Sequence, residues 1–169
     1  GTRMETDLPK VLVPACGRPL VDYVLDAVEA AGVTKTIVVI GYRGDLVREA
    51  LADRQNVVFV EQTEQLGTGH AVQVCHEHLA EWDGSVLVVT GDSPLTQPSS
   101  LAKLLELYDE ERPACVIGTL IKDDPTGCGR VVRDDAGNFY LVGRGRNQEG
   151  GGLRPVLLMI PVSSLWPSK

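Results

Sequence analysis

Short β-branched runs alternating with helix-length amphipathic stretches constrain this chain more than any other feature. The runs are "TIVVIG" (36–41), "VVFVE" (57–61), "SVLVVTGD" (85–92) and "ACVIGTLI" (114–121), each of single-strand length. Between them, "RPLVDYVLDAVEAAG" sets Leu20, Val24, Leu25 and Val28 on one stripe and stops at Gly32. "GDLVREALAD" and "PSSLAKLLELYDEERP" repeat that logic, with Asp45 and either Ser99 or Ser100 expected as N-caps. Strand–helix alternation predicts an α/β fold built on a doubly wound, mostly parallel sheet, because a strand that returns through a helix re-enters in the same direction. After Ile121 the period changes. "GRVVRDDAGNFYLVG" reads as two strands joined by an Asp-Ala-Gly-Asn turn, followed by a glycine-rich loop and "RPVLLMIPV", an antiparallel C-terminal appendix.

A chain of 169 residues with 43% apolar content can enclose one core, so residues 1–169 are expected to form a single domain. With 23 acidic against 16 basic residues the net charge is −7. No general positive field is then available for nucleic acid or an anionic membrane, and an anionic substrate needs local donors. No apolar run approaches the roughly 20 residues of a membrane span, so a soluble, cytoplasmic protein is expected. Cys16, Cys75, Cys115 and Cys128 are widely spaced without a C-x-x-C pair, which speaks against zinc and disulfides. There is no strong sequence sign of an obligate oligomer.

In open α/β sheets ligands gather beyond the carboxyl ends of the strands. There this chain carries "EQTEQLGTGHA" after Val60, "TGDSPL" after Val89 and "KDDPTGCGR" after Ile121. Asp92, a carboxylate just past a buried strand, is placed to hold a hard cation such as Mg²⁺; a turn or cap role accounts for it equally well. Lys10, flanked by apolar residues and a proline, suggests an ammonium held near the body, although a lone lysine is ordinarily surface charge. Arg3 has the same two readings. Gln62 with the Gly67-Thr68-Gly69 backbone offers an amide and main-chain groups that suit a base edge better than a phosphate. A plain helix start with Thr68 as N-cap accounts for the same loop. His70 falls in the first helical turn, where it could orient that loop. His76 and His78 point to different faces and read as surface residues.

"GTRM", "DLPKVL", "VEQTEQLGTGHAV", "GDSPL" and "DDPTGCGR", in this order and spacing, resemble the bacterial UDP-N-acetylglucosamine pyrophosphorylases, the N-terminal half of the bifunctional GlmU enzymes. The resemblance covers roughly residues 1–142. It implies a Rossmann-like sheet of the nucleotide-diphospho-sugar transferase type, with residues 1–121 as the nucleotide-binding part and 122–169 on the sugar side. It also implies uridylyl transfer from UTP to a sugar 1-phosphate, with Mg²⁺ as cofactor. By the same resemblance Arg3 and Lys10 contact phosphate, Gln62, Gly67 and Thr68 recognise uracil, Asp92 ligates Mg²⁺, Gly91 lines the nucleotide site and Gly129 touches the amino sugar.

The departures bear on the same inference. The family begins with an apolar strand and an L-A-A-G turn that this sequence lacks ahead of Gly1, so a central first strand is expected to be missing and the sequence to be a fragment truncated at both ends. Gly143 stands where the family has a sugar-contacting Glu, Arg154 stands near the position of an Asn, and Cys128 replaces a Tyr. The family's second metal ligand and its acetyltransferase domain are likewise expected to fall outside the given sequence. Two alternatives therefore stand beside the pyrophosphorylase: a non-catalytic nucleotide- or sugar-phosphate-binding relative, and a uridylyltransferase for another sugar.

Overall fold

The computed structural model describes residues 7–119, 123, 129–137, 139–143, 152–153 and 157–161. A 3-10 turn, Lys10–Leu12, follows Pro9 and leads into a short hairpin of β1 (Pro14–Ala15) and β2 (Arg18–Pro19). Helix α1 (Leu20–Ala30) comes next, and its buried face is Val21, Val24, Leu25, Ala27 and Val28. That face is wider than the expected stripe, and Leu20 lies only partly within it. The reason is that α1 packs on two sides. Val21 and Leu25 join Leu12, Ile40, Val47 and Leu51, whereas Val24, Ala27 and Val28 close around Leu101.

The first of these cores belongs to β3 (Thr36–Ile40), α2 (Gly44–Ala50) and β4 (Val57–Glu61). β3 and β4 pair in parallel from Thr36↔Val57 to Ile40↔Glu61, as two strands joined through a helix should. α2 starts two positions earlier than the Asp45 cap would have it. Arg43, with φ +51°, holds the cap position, and Asp45 falls in the first turn, where its charge still favours the helix dipole.

Two short helices, α3 (Thr68–Gln73) and α4 (His76–Leu79), lead to β5 (Ser85–Val89) and then to α5 (Pro98–Glu111). His76 and His78 are both exposed on α4. Pro98 opens α5 with Gln97 in the cap position, so Ser99 and Ser100 lie inside the first turn instead of capping it. Proline's fixed φ and missing N–H suit the first helical position and set the boundary. β6 (Val116–Gly118) follows. The last two residues of the 114–121 run lie outside the described residues.

The antiparallel portion is present as β7 (Gly129–Arg133) and β8 (Phe139–Gly143), with β9 (Gly152–Leu153) on the other side of β7; Asn138 of the expected turn lies outside the described residues. The last apolar run, β10 (Leu157–Pro161), does not stay with them. It returns between β5 and β6, antiparallel to both, from Leu157↔Val89 and Leu157↔Gly118. Among the described residues no ladder joins β3–β4 to β5–β10–β6; helix α1 spans the two by side-chain packing. No helix among the described residues is long and apolar enough to cross a membrane.

Helix α1 is also held from its polar side. Arg54 donates to Asp22 at 3.0 Å and Asp26 at 2.7 Å, and Arg18 donates to Asp26 at 2.7 Å. Leu101, fully buried where α1 meets α5, tests how much this packing matters. Leu101→Ala should lower stability by about 2–5 kcal/mol through lost contacts and a cavity. Leu107→Ala, on the exposed side of the same helix, should change it by less than about 1 kcal/mol. Urea midpoints of the two variants check the contrast.

Candidate functional site

The segment Asp7–Leu12 forms a strap across the strand ends. At one end Arg43, just past β3, donates to the Asp7 carbonyl at 3.1 Å. At the other, Lys10 forms an ion pair with Asp92, which lies just past β5. Beside that pair, a Cβ placed on Gly91 would come within 3.2 Å of Val11 Cγ1, so a side chain there would press on the strap and Val11 would have to give way. Leu12 then anchors the strap in the core with Ile40 and Val47. Residues 82 positions apart in sequence are thus brought into contact beyond the carboxyl ends of the strands.

Asp92 sits in a loop that closes on itself. The Thr90 and Ser93 hydroxyls lie 2.8 Å apart, and the Thr96 hydroxyl donates to the Ser93 carbonyl at 2.8 Å. The hydrogen bond and charge of Lys10 hold the Asp92 carboxyl below its ordinary range, against the opposing effect of burial, and Thr90 helps in the same direction. The side chain is 31% exposed, so the carboxylate is both ionised and reachable. An ionised, reachable carboxylate fits a hard divalent ion, which takes few protein ligands and completes its shell with water and substrate phosphates. No cluster of three or more His, Cys, Asp or Glu surrounds it among the described residues. Beside it, the Lys10 ammonium can meet anionic oxygens.

The loop after β4 is built differently. The Gln62 N–H donates to the Ile40 carbonyl at 2.7 Å, extending the β3–β4 ladder by one step and fixing where the side chain starts. Gly67 has φ +104°, a conformation that a side chain would strain, and it caps α3, so Thr68 becomes the first helical residue instead of the N-cap. The Gly67 carbonyl accepts from the Ala71 N–H at 3.1 Å and from Gln62 Nε2 at 3.1 Å. Gln62 Nε2 also lies 3.0 Å from Nδ1 of His70. Gln62, Gly67 and His70 thus form one hydrogen-bonded unit, and Thr68 stands beside it on an exposed turn.

The remaining expected residues are dispersed. Gly129 begins β7 opposite Leu153, and Gly143 ends β8 opposite Arg130. Arg3, Cys128 and Arg154 lie outside the described residues. Three groups were not expected from the sequence. Tyr42, Leu66 and Leu95 stand 69%, 71% and 85% exposed on the loops after β3, β4 and β5. They lie on the same loops as the candidate residues, although singly exposed apolar side chains are common on protein surfaces. The available signal was their position, each a few residues past an apolar run.

Residues 1–138 match the family model of the MobA-like NTP transferase domain, and the chain belongs to that family. Its curated relatives are more particular. The bifunctional protein GlmU of Listeria monocytogenes is 44% identical over 137 residues, 81% of this chain. That of Thermosynechococcus vestitus is 47% identical over 134 residues, 79% of this chain. These relatives bear out the resemblance carried by "LPKVL" and "QLGTGHA", and the chain spans about 30% of their length. Among solved structures, HddC from Yersinia pseudotuberculosis has a TM-score of 0.76 at 19% identity, covering 99% of this chain and 74% of that one. The same protein complexed with GMP-PN gives 0.73 at 19% identity, covering 94% and 70%. The likeness bears out the α/β, Rossmann-like fold.

The lowered Asp92 pKa fixes a sign. A carboxyl that ionises more readily when folded adds stability above its unfolded value, about 3.9, and loses it as pH falls through the folded value. The urea midpoint should therefore decline as pH drops from about 5 toward 3. In Asp92→Asn the decline should be shallower, because the amide cannot titrate; parallel profiles would assign the decline to other carboxylates, such as Asp26, which Arg18 and Arg54 hold low in the same way.

Proposed function

We propose that this domain transfers a uridylyl group: a phosphate oxygen of a sugar 1-phosphate attacks the α-phosphorus of UTP in line, the bond to the β-phosphate breaks, and pyrophosphate leaves. N-acetylglucosamine 1-phosphate is the proposed acceptor and UDP-N-acetylglucosamine the product, a precursor of cell-wall synthesis made in the cytoplasm. The observation that carries the reading is the Lys10–Asp92 pair at the strand ends. Such chemistry needs no protein nucleophile; it needs two polyanions held together and the charge on equatorial and leaving oxygens met. Lys10 binds phosphate oxygens, and Arg3 is proposed to do the same. Asp92 would hold Mg²⁺, which when bound neutralises phosphate charge. Gln62 and the backbone of Gly67 and Thr68 read the uracil, Gly91 lines the nucleotide, and Gly129 borders the sugar.

A second acceptor is favoured by one feature. Gly143, the last residue of β8, has no side chain to accept hydrogen bonds from sugar groups. A pyrophosphate-release assay with UTP and a panel of sugar 1-phosphates decides: release with the amino sugar supports the first reading, release with another sugar the second, and none with any sugar points to a non-catalytic binding role.

Two further outcomes are expected. UTP should bind more tightly than CTP by calorimetry, since a site built for one pyrimidine edge leaves groups unpaired against the other. Comparable affinities would remove the base-reading role from Gln62. Asp92→Asn should reduce Mg²⁺-dependent turnover on the order of a hundredfold while changing nucleotide affinity much less, because the cation acts chiefly on charge formed in the transition state. Unchanged turnover would return Asp92 to a turn-forming role.

A further inference from the structure

Gln62 carries the base-reading role in the proposed function, and a side-chain amide can read a base in either of two senses. Turned one way it presents its carbonyl oxygen as an acceptor; turned over, it presents two N–H donors. These senses select opposite edges, because uracil has a hydrogen on N3 and cytosine has a lone pair there. Something must hold the amide in one sense.

The hydrogen bonds around Gln62 identify what does. The Gly67 carbonyl can only accept, so the atom facing it at 3.1 Å is the amide nitrogen, which donates. The same nitrogen lies 3.0 Å from His70 Nδ1, and since an amide nitrogen has no lone pair to offer, it must be the donor of this bond through its second hydrogen. Nδ1 must then be the unprotonated ring nitrogen, with the proton on Nε2. Both amide hydrogens are committed, and among the described residues nothing donates to Oε1. Turning the amide over would set its oxygen against the Gly67 carbonyl and against a lone pair on His70, losing both bonds. The Gly67 carbonyl alone leaves one amide hydrogen unused; His70 uses it. His70 itself is placed by the first turn of α3, whose Val74 N–H donates to the His70 carbonyl at 3.0 Å.

We propose that His70 is a positioning residue that commits Gln62 to the acceptor sense, so that the site selects a base with a ring N–H at its pairing edge, uracil and not cytosine. The inference rests on Gln62 being the base reader. His70 needs no contact with the nucleotide; it acts through the amide.

Two measurements test it. In the unaltered protein, two-bond ¹H–¹⁵N correlation spectra of the histidines should show His70 with its proton on Nε2. A proton on Nδ1 would overturn the proposal whatever the nucleotide affinities. Calorimetric affinities for UTP and CTP are then compared in His70→Phe, which keeps a ring but no acceptor, and His70→Asn, whose Oδ1 can stand in for Nδ1. His70→Phe should narrow the UTP-over-CTP ratio about tenfold, the scale of one hydrogen bond, and His70→Asn should largely retain it. A ratio preserved in His70→Phe overturns the role of His70 while leaving Gln62 as base reader. A protein that shows no UTP preference even unaltered overturns both. If His70→Phe does not fold, the His70→Asn ratio and the tautomer decide, and loss of the preference in folded His70→Asn counts against the proposal.

Discussion

Helix α1 is the element on which the rest of this domain depends, because it is buried against two groups of strands at once. A helix on one face of a single sheet needs one apolar stripe; α1 supplies Val21 and Leu25 to the β3–β4 side and Val24, Ala27 and Val28 to the side of α5. No ladder among the described residues connects those strand groups, and α1 bridges them by side-chain packing. The polar bracing by Arg54 and Arg18 works on the same helix from its outer surface. Arg54 is only 24% exposed, so its pairs with Asp22 and Asp26 are less screened than a typical surface bridge.

Placement of α1 bears on the site because the strap is joined to it by the β1–β2 hairpin. Leu12 belongs to the same core as Val21, and the Leu20 N–H donates to the Val13 carbonyl at 3.1 Å, closing the β1–β2 hairpin between strap and helix. Lys10 can reach Asp92 because Leu12 is fixed in that core and because Gly91 allows Val11 to come close. Loss of packing around Val21 would therefore be felt at the ion pair, the more so because Val21 also lies against Gly91, the residue before Asp92.

Much of this was legible in the sequence, for identifiable reasons. Strands β3, β4 and β5 could be read because β-branched residues are concentrated there, and α1 because its spacing is strict. The individual candidates Lys10 and Asp92 were visible as an ammonium and a carboxylate at strand ends, but their pairing was not, since a contact across 82 residues leaves no local trace. Helix starts were displaced for local reasons: Pro98 and the left-handed residues Arg43 and Gly67 set boundaries that cap preferences alone do not predict. β10 was read as part of an appendix because its pattern shows only that it is an apolar strand. Which strands it joins depends on the open edges of β5 and β6, a property of the assembled sheet.

The charge balance explains why the site takes this form. On the proposed reading, a chain of net charge −7 repels its polyanionic substrate at long range, so attraction has to be short-ranged and local. The Lys10–Asp92 pair is itself neutral, and by that reading a bare ammonium in its place would strengthen phosphate binding while giving up the means to hold a cation. Pairing keeps both groups together at little cost, since each remains partly exposed to water. On the proposed reading, a polyphosphate that brings a divalent ion exchanges one ion pair for two favourable contacts, whereas a bare polyanion can engage Lys10 only by leaving Asp92 unpaired beside it. Dependence on the cation then follows from the arrangement of two side chains, without a dedicated cage of ligands.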